Sequence, residues 1–484
     1  PPEGRMPYET VIGLEIHAQL LTTTKIFCGC ETAFGAPPNT HVCPVCLGFP
    51  GALPMLNQRA VEYAIRAALA LGCTVHPTSV FARKNYFYPD LPKGYQISQY
   101  DRPLATGGQL TWQDGEREVH VGITRIHMEE DAGKSLHEGF GDSSMSSYID
   151  LNRAGVPLIE IVSEPDLRSA ADAGQFFARL RAILVALGIN DGNMEEGSLR
   201  CDANVSVRPW GTTTFGTKTE IKNVNSFRYL EKAIDYEIHR HCDLVMRGER
   251  IVQETRLFDS ASGHTFSMRS KEDAHDYRYF PEPDLPPLTI TAAWVADVAR
   301  TLPELPDARR ARFISEYALP PYDAAWLTQS MAMASYFEAV AQATKNPKAS
   351  SNWVMGELAR LMKERGHEIE QVPVSADALA GLIGLIDAGR ISGSIAKGVL
   401  EKMYADGRSA EVIVDQDGLA RIDDEGAVLV AVQGVLAVNA DAAADYRAGK
   451  TKSFGFLVGQ VMKASGGKAN PALVNAVLKR ELGG

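Results

Sequence analysis

Gly122-Ile-Thr-Arg-Ile-His-Met-Glu-Glu-Asp-Ala-Gly-Lys134 is a short apolar run that carries an arginine and a histidine, then ends on three consecutive acids and a glycine turn. Three adjacent carboxylates repel one another unless water or a cation separates them. Alone, the stretch describes a solvated strand end equally well. Four other segments tip the reading, because each sets a carboxylate inside an otherwise strand-like stretch: residues 12–20, 158–162, 199–208 and 217–224.

In residues 12–20, Ile12, Leu14, Ile16, Ala18 and Leu20 fall on one face and Glu15, His17 and Gln19 on the other. Residues two apart on a strand sit about 6.5–7 Å from each other on the same side, so Glu15 and His17 can lean on one shared cation. A polar face open to water gives the same pattern. Leu158-Ile-Glu-Ile-Val162 is a continuous apolar run, as for a strand buried on both faces, with one carboxylate in its middle. Glu160 there needs a cation, a basic side chain or a proton. Leu199–Arg208 alternates an apolar face with Arg200, Asp202, Asn204, Ser206 and Arg208, and 217–224 sets Lys218, Glu220 and Lys222 on one face. Helical periods cover 56–72, 170–187 and 227–246, without the regular alternation of a doubly wound fold. The expectation is an α+β fold with a large, mainly antiparallel sheet. One face of it would carry Glu15, His17, Asp202 and Glu220, joined by Glu160 and by one member of the Glu129-Glu130 pair, since neighbours on a strand point to opposite faces.

A chain of 484 residues exceeds one core. The sheet domain is expected over 1–291, closing at the proline-rich joint Pro281-Glu-Pro-Asp-Leu-Pro-Pro287. An alanine-rich helical domain should follow over 292–405, and a small, mainly helical tail over 406–484. Composition is that of a soluble globular protein, and no apolar run approaches the ~18 residues of a membrane span. The opening Pro-Pro-Glu-Gly-Arg lacks a signal-peptide pattern and the seven cysteines are odd in number, so a reducing cytoplasm without disulfides is expected. A net charge of -11 argues against non-specific nucleic-acid binding by the whole surface. Residues 441–484, however, hold seven Lys/Arg against three acids, a basic end that suits a polyanion or simply a solvated helical surface.

Cys28, Cys30, Cys43 and Cys46 form C-G-C, then C-P-V-C after a loop, the ligand spacing of a structural zinc site; a redox pair at Cys43 and Cys46 is the alternative. Arg83-Lys-Asn-Tyr-Phe-Tyr-Pro-Asp90 mixes bases with aromatics, which can hold a nucleotide or tuck onto a core. Carboxylates with few thiols on the sheet face favour magnesium or manganese, and Lys84, Arg125 and Lys218 suit nucleotide phosphates. No P-loop, dinucleotide-binding, nucleophile-elbow or H-E-x-x-H motif occurs. The residues thus describe an ATP-dependent enzyme of an uncommon type, or a scaffold that looks like one.

Val11-Ile-Gly-Leu-Glu-Ile-His17, Arg83 to Asp90, Tyr95-Gln-Ile-Ser-Gln99, His127 to Lys134, Pro157 to Asp166, Met194 to Asn204, Asp276-Tyr-Arg-Tyr-Phe-Pro-Glu-Pro-Asp284 and Gly455-Phe-Leu-Val-Gly-Gln-Val-Met462 resemble the B subunits of the bacterial aspartyl/glutamyl-tRNA amidotransferases, nearly end to end. The resemblance implies a cradle distantly like glutamine synthetase, then a helical domain and a tail that grips tRNA. It implies ATP- and magnesium-dependent activation of the side-chain carboxylate of Asp or Glu mischarged on tRNA-Asn or tRNA-Gln, through an acyl phosphate. Ammonia would come from an amidase-like partner, the A component of a heterotrimer, consistent with the lack of a Gly-Gly-Ser-Ser loop here. A small third component, C, would belt the two together, and the cognate non-discriminating synthetase is a further partner; no membrane is involved. By motif position Glu15, His17, Glu130, Glu160, Asp202 and Glu220 would be magnesium ligands and catalytic lining, with Lys84 and Arg125 on the phosphates. The cysteine knuckle, present in only some members, would hold structural zinc, and residues 139–147 would be a loop of variable length. Two other readings stay open: a stand-alone ligase acting on a free carboxylate, and a zinc-stabilised tRNA-binding scaffold.

Overall fold

The computed structural model describes residues 8–136, 146–222, 224–268 and 277–483. Residues 1–5, most of the loop expected at 139–147, and Asp276 lie outside them.

Ile12, Leu14, Ile16 and Ala18 are fully buried on one side of the strand Glu9–Gln19, the centre of a ten-stranded sheet. To one side follow Leu199–Arg208, Thr219–Lys222, Thr255–Asp259 and His264–Ser267. To the other follow Pro157–Ser163, the long strand Arg117–Glu130, and the short Ala105–Thr106 and Thr74–Val75, with Gln109–Asp114 folded back on Arg117–Glu130 as a hairpin. Among the described residues, only Thr219–Lys222 and Thr255–Asp259 pair in parallel in this sheet. The sheet is therefore mainly antiparallel, and alternation along each strand separates an apolar face from a polar one.

Helices pack into the same core as the apolar alternates. Gln58–Ala70 starts at Asn57, whose side chain accepts from the Arg59 and Ala60 N–H groups, and it buries Ala60, Ala64, Ile65 and Ala68. Ser169 and Ser226 cap Ala170–Ala186 and Phe227–Met246 in the same way. Those two helices contribute Phe176, Phe177, Leu180, Leu230 and Ile234, each worth about 1.5–3 kcal/mol when fully buried. The strand Pro157–Ser163 departs from expectation: Ile159 and Ile161 are in the core, but Glu160 and Val162 are only half-buried. Its second face is the polar face of the sheet.

The first compact unit runs to Leu305, beyond the boundary expected at 291, because Val298 of the helix Ala292–Arg300 is buried in the sheet domain's core with Trp294 and Val295 packed beside it. The second unit, Pro306–Gly484, is helical and holds two apolar clusters, one from Phe313 to Val414 and one from Val428 to Leu482. Ala410, Ile413 and Val414 belong to the first of these, so the tail's own core starts later than residue 406. Among the described residues no single helix is long and apolar enough to cross a membrane.

Candidate metal centre

Strand register gathers the polar side chains. His17 pairs with Glu160 on one side and Arg200 on the other, and Glu160 pairs with His127. One step along, Glu15 faces Asp202; one further, Asn204 faces Glu220. Directly opposed residues project from the same face. His17 Nε2 lies 3.3 Å from Glu160 Oε2 and 3.9 Å from Glu129 Oε1. His17, Glu129 and Glu160 each offer one donor atom, all within 4.8 Å of one another. Two carboxylates and one imidazole, with no thiol, fit a hard divalent cation such as magnesium or manganese.

Electrostatically the three groups also pair with one another. Burial opposes charge on His17, yet hydrogen bonding and charge from Glu160, with Glu129 and Asp202 behind it, push its pKa up to about 9. Burial alone would raise Glu160, but the His127 and His17 imidazoles hold it well below the usual carboxylate range. Beside this trio, Glu15 is pushed up by burial and by the charges of Glu160 and Glu220, and Asp202 is pushed up by burial against the pull of Lys222. Asn204 Nδ2 donates to Glu15 at 2.9 Å, and Lys222 Nζ reaches Asp202 at 3.6 Å and Glu220 at 3.5 Å. The patch carries more negative charge than its own cations offset.

The acid triplet is not solvated: Glu129, Glu130 and Asp131 are all buried. Each has its own partners, which removes the repulsion expected of neighbours. Glu129 Oε2 accepts from Ser98 Oγ at 3.1 Å while Oε1 faces His17. Asp131 is paired with Arg200 at 3.1 Å and accepts from Gln19 Nε2 at 2.7 Å. Glu130, expected among the magnesium ligands, is not brought to the cluster: its carboxylate pairs with Lys93 Nζ at 2.5 Å and accepts from the Ile97 N–H at 2.9 Å. Glu129 occupies the place instead. The sequence held the signal, since Ile126 and Met128 mark the core side of the strand and put Glu130 out of step with His127 and Glu129. His127, which motif position did not single out, lies in the same row, 3.4 Å from Glu160.

Lys84 does reach this region. Burial lowers its ammonium, but the charges of Glu129, Tyr279, Tyr277 and Glu160 outweigh that and leave its pKa raised. Its Nζ stands 4.8 Å from the Tyr277 ring centre and makes no ion pair within 4 Å among the described residues. Arg125, expected on phosphate, spends its guanidinium on the carbonyls of Tyr100 and Gln99 and on His127 Nδ1. Arg83 is likewise structural, stacked 4.1 Å from Tyr95 and bidentate on Glu282. Beside Glu15 and Val162 opens a cavity of about 260 Å³, lined also by Gly13, Phe215, Gly216 and Lys218.

A second cluster stands in the loop after the first strand. One sulfur from each of Cys28, Cys30, Cys43 and Cys46 lies within 4.8 Å of the others, the closed four-thiolate set that zinc takes. The fully buried Lys25 points Nζ at Cys46 Sγ, 3.5 Å away, as well as at the His41 and Leu151 carbonyls. A hydrogen bond from Cys28 is the main reason the Cys46 thiol is held down at about 4.

Comparison with known proteins gives one answer over the whole length. A family model described as the GatB/GatE catalytic domain matches residues 10–296, and one described as GatB domain matches 335–482. Three curated relatives are named as B subunits of aspartyl/glutamyl-tRNA(Asn/Gln) amidotransferase. The protein of Trichlorobacter lovleyi is 57% identical over 479 residues, 99% of this chain and 100% of its own. That of Myxococcus xanthus is 56% identical over 476 residues, 98% and 99% of the two chains. That of Moorella thermoacetica is 57% identical over 478 residues, 99% and 100%.

Proposed function

The chain belongs to the family of aspartyl/glutamyl-tRNA(Asn/Gln) amidotransferase B subunits, and from that premise we propose that it activates the side-chain carboxylate of Asp on tRNA-Asn or Glu on tRNA-Gln at the polar sheet face. Membership makes it part of a carbon–nitrogen ligase of protein biosynthesis. In the proposed reaction a carboxylate oxygen attacks the γ-phosphorus of ATP, giving an acyl phosphate and ADP. Ammonia then attacks the acyl carbon, phosphate departs, and the amide of Asn-tRNA or Gln-tRNA remains.

The observation that carries this reading is the convergence of His17, Glu129 and Glu160 beside a cavity lined by Phe215 and Lys218. The trio would hold magnesium, with Glu15, Asp202 and Glu220 completing the acidic lining; the ion, when bound, would neutralise phosphate oxygens. Phe215 offers an aromatic surface for a base and Lys218 a cation for phosphate. Lys84, which makes no ion pair within 4 Å among the described residues, supplies positive charge for an anionic intermediate. In this reading zinc in the cysteine knuckle is structural, and the sheet domain is a cradle distantly like that of glutamine synthetase. The helical and tail domains grip tRNA with the basic end. The amidase-like partner supplies ammonia, the small third component holds the heterotrimer together, and the enzyme works in the cytoplasm.

ATP hydrolysis by the chain assembled with these two partners tests this. Stimulation by Asp-tRNA-Asn or Glu-tRNA-Gln, but not by correctly charged or uncharged tRNA, is expected. Turnover indifferent to tRNA, or turned on by a free amino acid, contradicts it.

A further inference from the structure

Arg125 decides which nitrogen of His127 carries the proton. Its Nη1 and Nη2 donate to the Tyr100 and Gln99 carbonyls, each at 3.1 Å, and its Nε–H donates to His127 Nδ1 at 3.2 Å. A guanidinium has no acceptor, so Nδ1 must present its lone pair and the ring proton sits on Nε2. A protonated ring nitrogen has no lone pair left for a cation.

The His127 ring is buried, with Nε2 facing Glu160 Oε2 at 3.4 Å and Glu129 Oε2 at 3.6 Å. The Glu129 carboxylate is thus divided. Its Oε2 is turned to Ser98 and His127, and its Oε1 is left facing His17. Two carboxylates side by side would otherwise swing apart by mutual repulsion.

We propose that His127 is a positioning residue of the metal centre and not a ligand: Arg125 fixes it as the Nε2–H tautomer, and that N–H keeps Glu129 and Glu160 turned toward the point they share with His17. The inference rests on the reading of the trio as a metal centre. Partners of this kind behind a ligand change metal affinity by about 10–100-fold when removed. Glutamine is an informative replacement, because its carbonyl can accept from Arg125 while its NH2 donates to the carboxylates.

The test is Mn2+ binding, followed by electron paramagnetic resonance, on the zinc-replete chain assembled with its partners. The His127→Leu dissociation constant should rise about 10–100-fold while His127→Gln stays within about threefold of wild type. The 15N spectrum of histidine-labelled wild-type chain should show His127 Nδ1 without a proton and Nε2 with one. Unchanged binding in His127→Leu, a loss in His127→Gln as large as in His127→Leu, or a proton on Nδ1 would each overturn the proposal. Glu129→Gln keeps the two claims apart. If it loses Mn2+ while His127→Leu does not, only the role of His127 falls; if it binds like wild type, the metal centre itself is misplaced and the proposal falls with it.

Discussion

The cysteine knuckle and the carboxylate face are both built to gather metal-binding atoms, and they differ in how far apart along the chain those atoms start. The four cysteines lie within one loop, between Cys28 and Cys46, and close on themselves. His17, Glu129 and Glu160 come from three strands and meet only because Glu9–Gln19, Pro157–Ser163 and Arg117–Glu130 pair in one register. A local soft-donor site is a staple for the loop that carries it. A site assembled across a sheet can face a substrate, and its remaining acids need not be satisfied by the protein.

The sharpest separation of the two comes from removing one ligand from each. Glu160→Gln should lower tRNA-stimulated ATP turnover on the order of 10³-fold while zinc content and melting temperature stay near wild type, since several kcal/mol of charge stabilisation rest on that group. Equal loss of zinc in this variant would erase the distinction.

Glu237 tests the contrast from the structural side. Burial works against its charge, but hydrogen bonds from His241, Arg240 and Thr265 overcome that and hold its pKa down at about 2, with Arg256 3.1 Å away. Its folded-state pKa lies below the ordinary value of 4.5, so its contribution to stability is present above pH 4.5 and lost as pH falls toward 2. That contribution is about 3 kcal/mol. Denaturant titrations should show Glu237→Gln less stable than wild type at pH 7 and converging with it at low pH. Glu15 and Asp202, whose pKa values are raised, should show the opposite: replacement by the amide leaves stability at pH 7 equal or improved while ATP turnover falls.

Cys43→Ser should empty the knuckle of zinc, measured by metal analysis, yet lower ATP turnover less than about tenfold if its role is only to fold its loop. A loss as deep as that of Glu160→Gln would join the two sites functionally. Lys218→Ala should raise the KM for ATP about tenfold with kcat little changed, as for a cation that contacts ligand from the cavity wall. An effect on kcat alone would move Lys218 to the reacting atoms.

The knuckle was legible because its chemistry is local, and spacing alone identifies four thiols that can share an ion. The strands Leu199–Arg208 and Glu9–Gln19 were legible for the same reason, since alternation in their own residues separates the core face from the polar face. What motif position could not supply was the register that selects Glu129 over Glu130, although the apolar beat of Ile126 and Met128 already pointed that way. The internal partners of Arg125 were not legible for a different reason. A guanidinium with three internal acceptors looks the same in sequence as one waiting for phosphate, because Tyr100, Gln99 and His127 reach it only through folding. The packing of Val298, in the helix Ala292–Arg300, into the core of the sheet domain was not legible, because composition continues smoothly across 291.

One measurement tests the central claim most directly: Mn2+ titration of the assembled enzyme carrying Glu129→Gln or Glu130→Gln, side by side. The account predicts that Glu129→Gln abolishes tight binding and that Glu130→Gln, which leaves His17, Glu129 and Glu160 in place, retains it. Loss in Glu130→Gln with binding kept in Glu129→Gln would contradict it and return the metal to the other side of the strand.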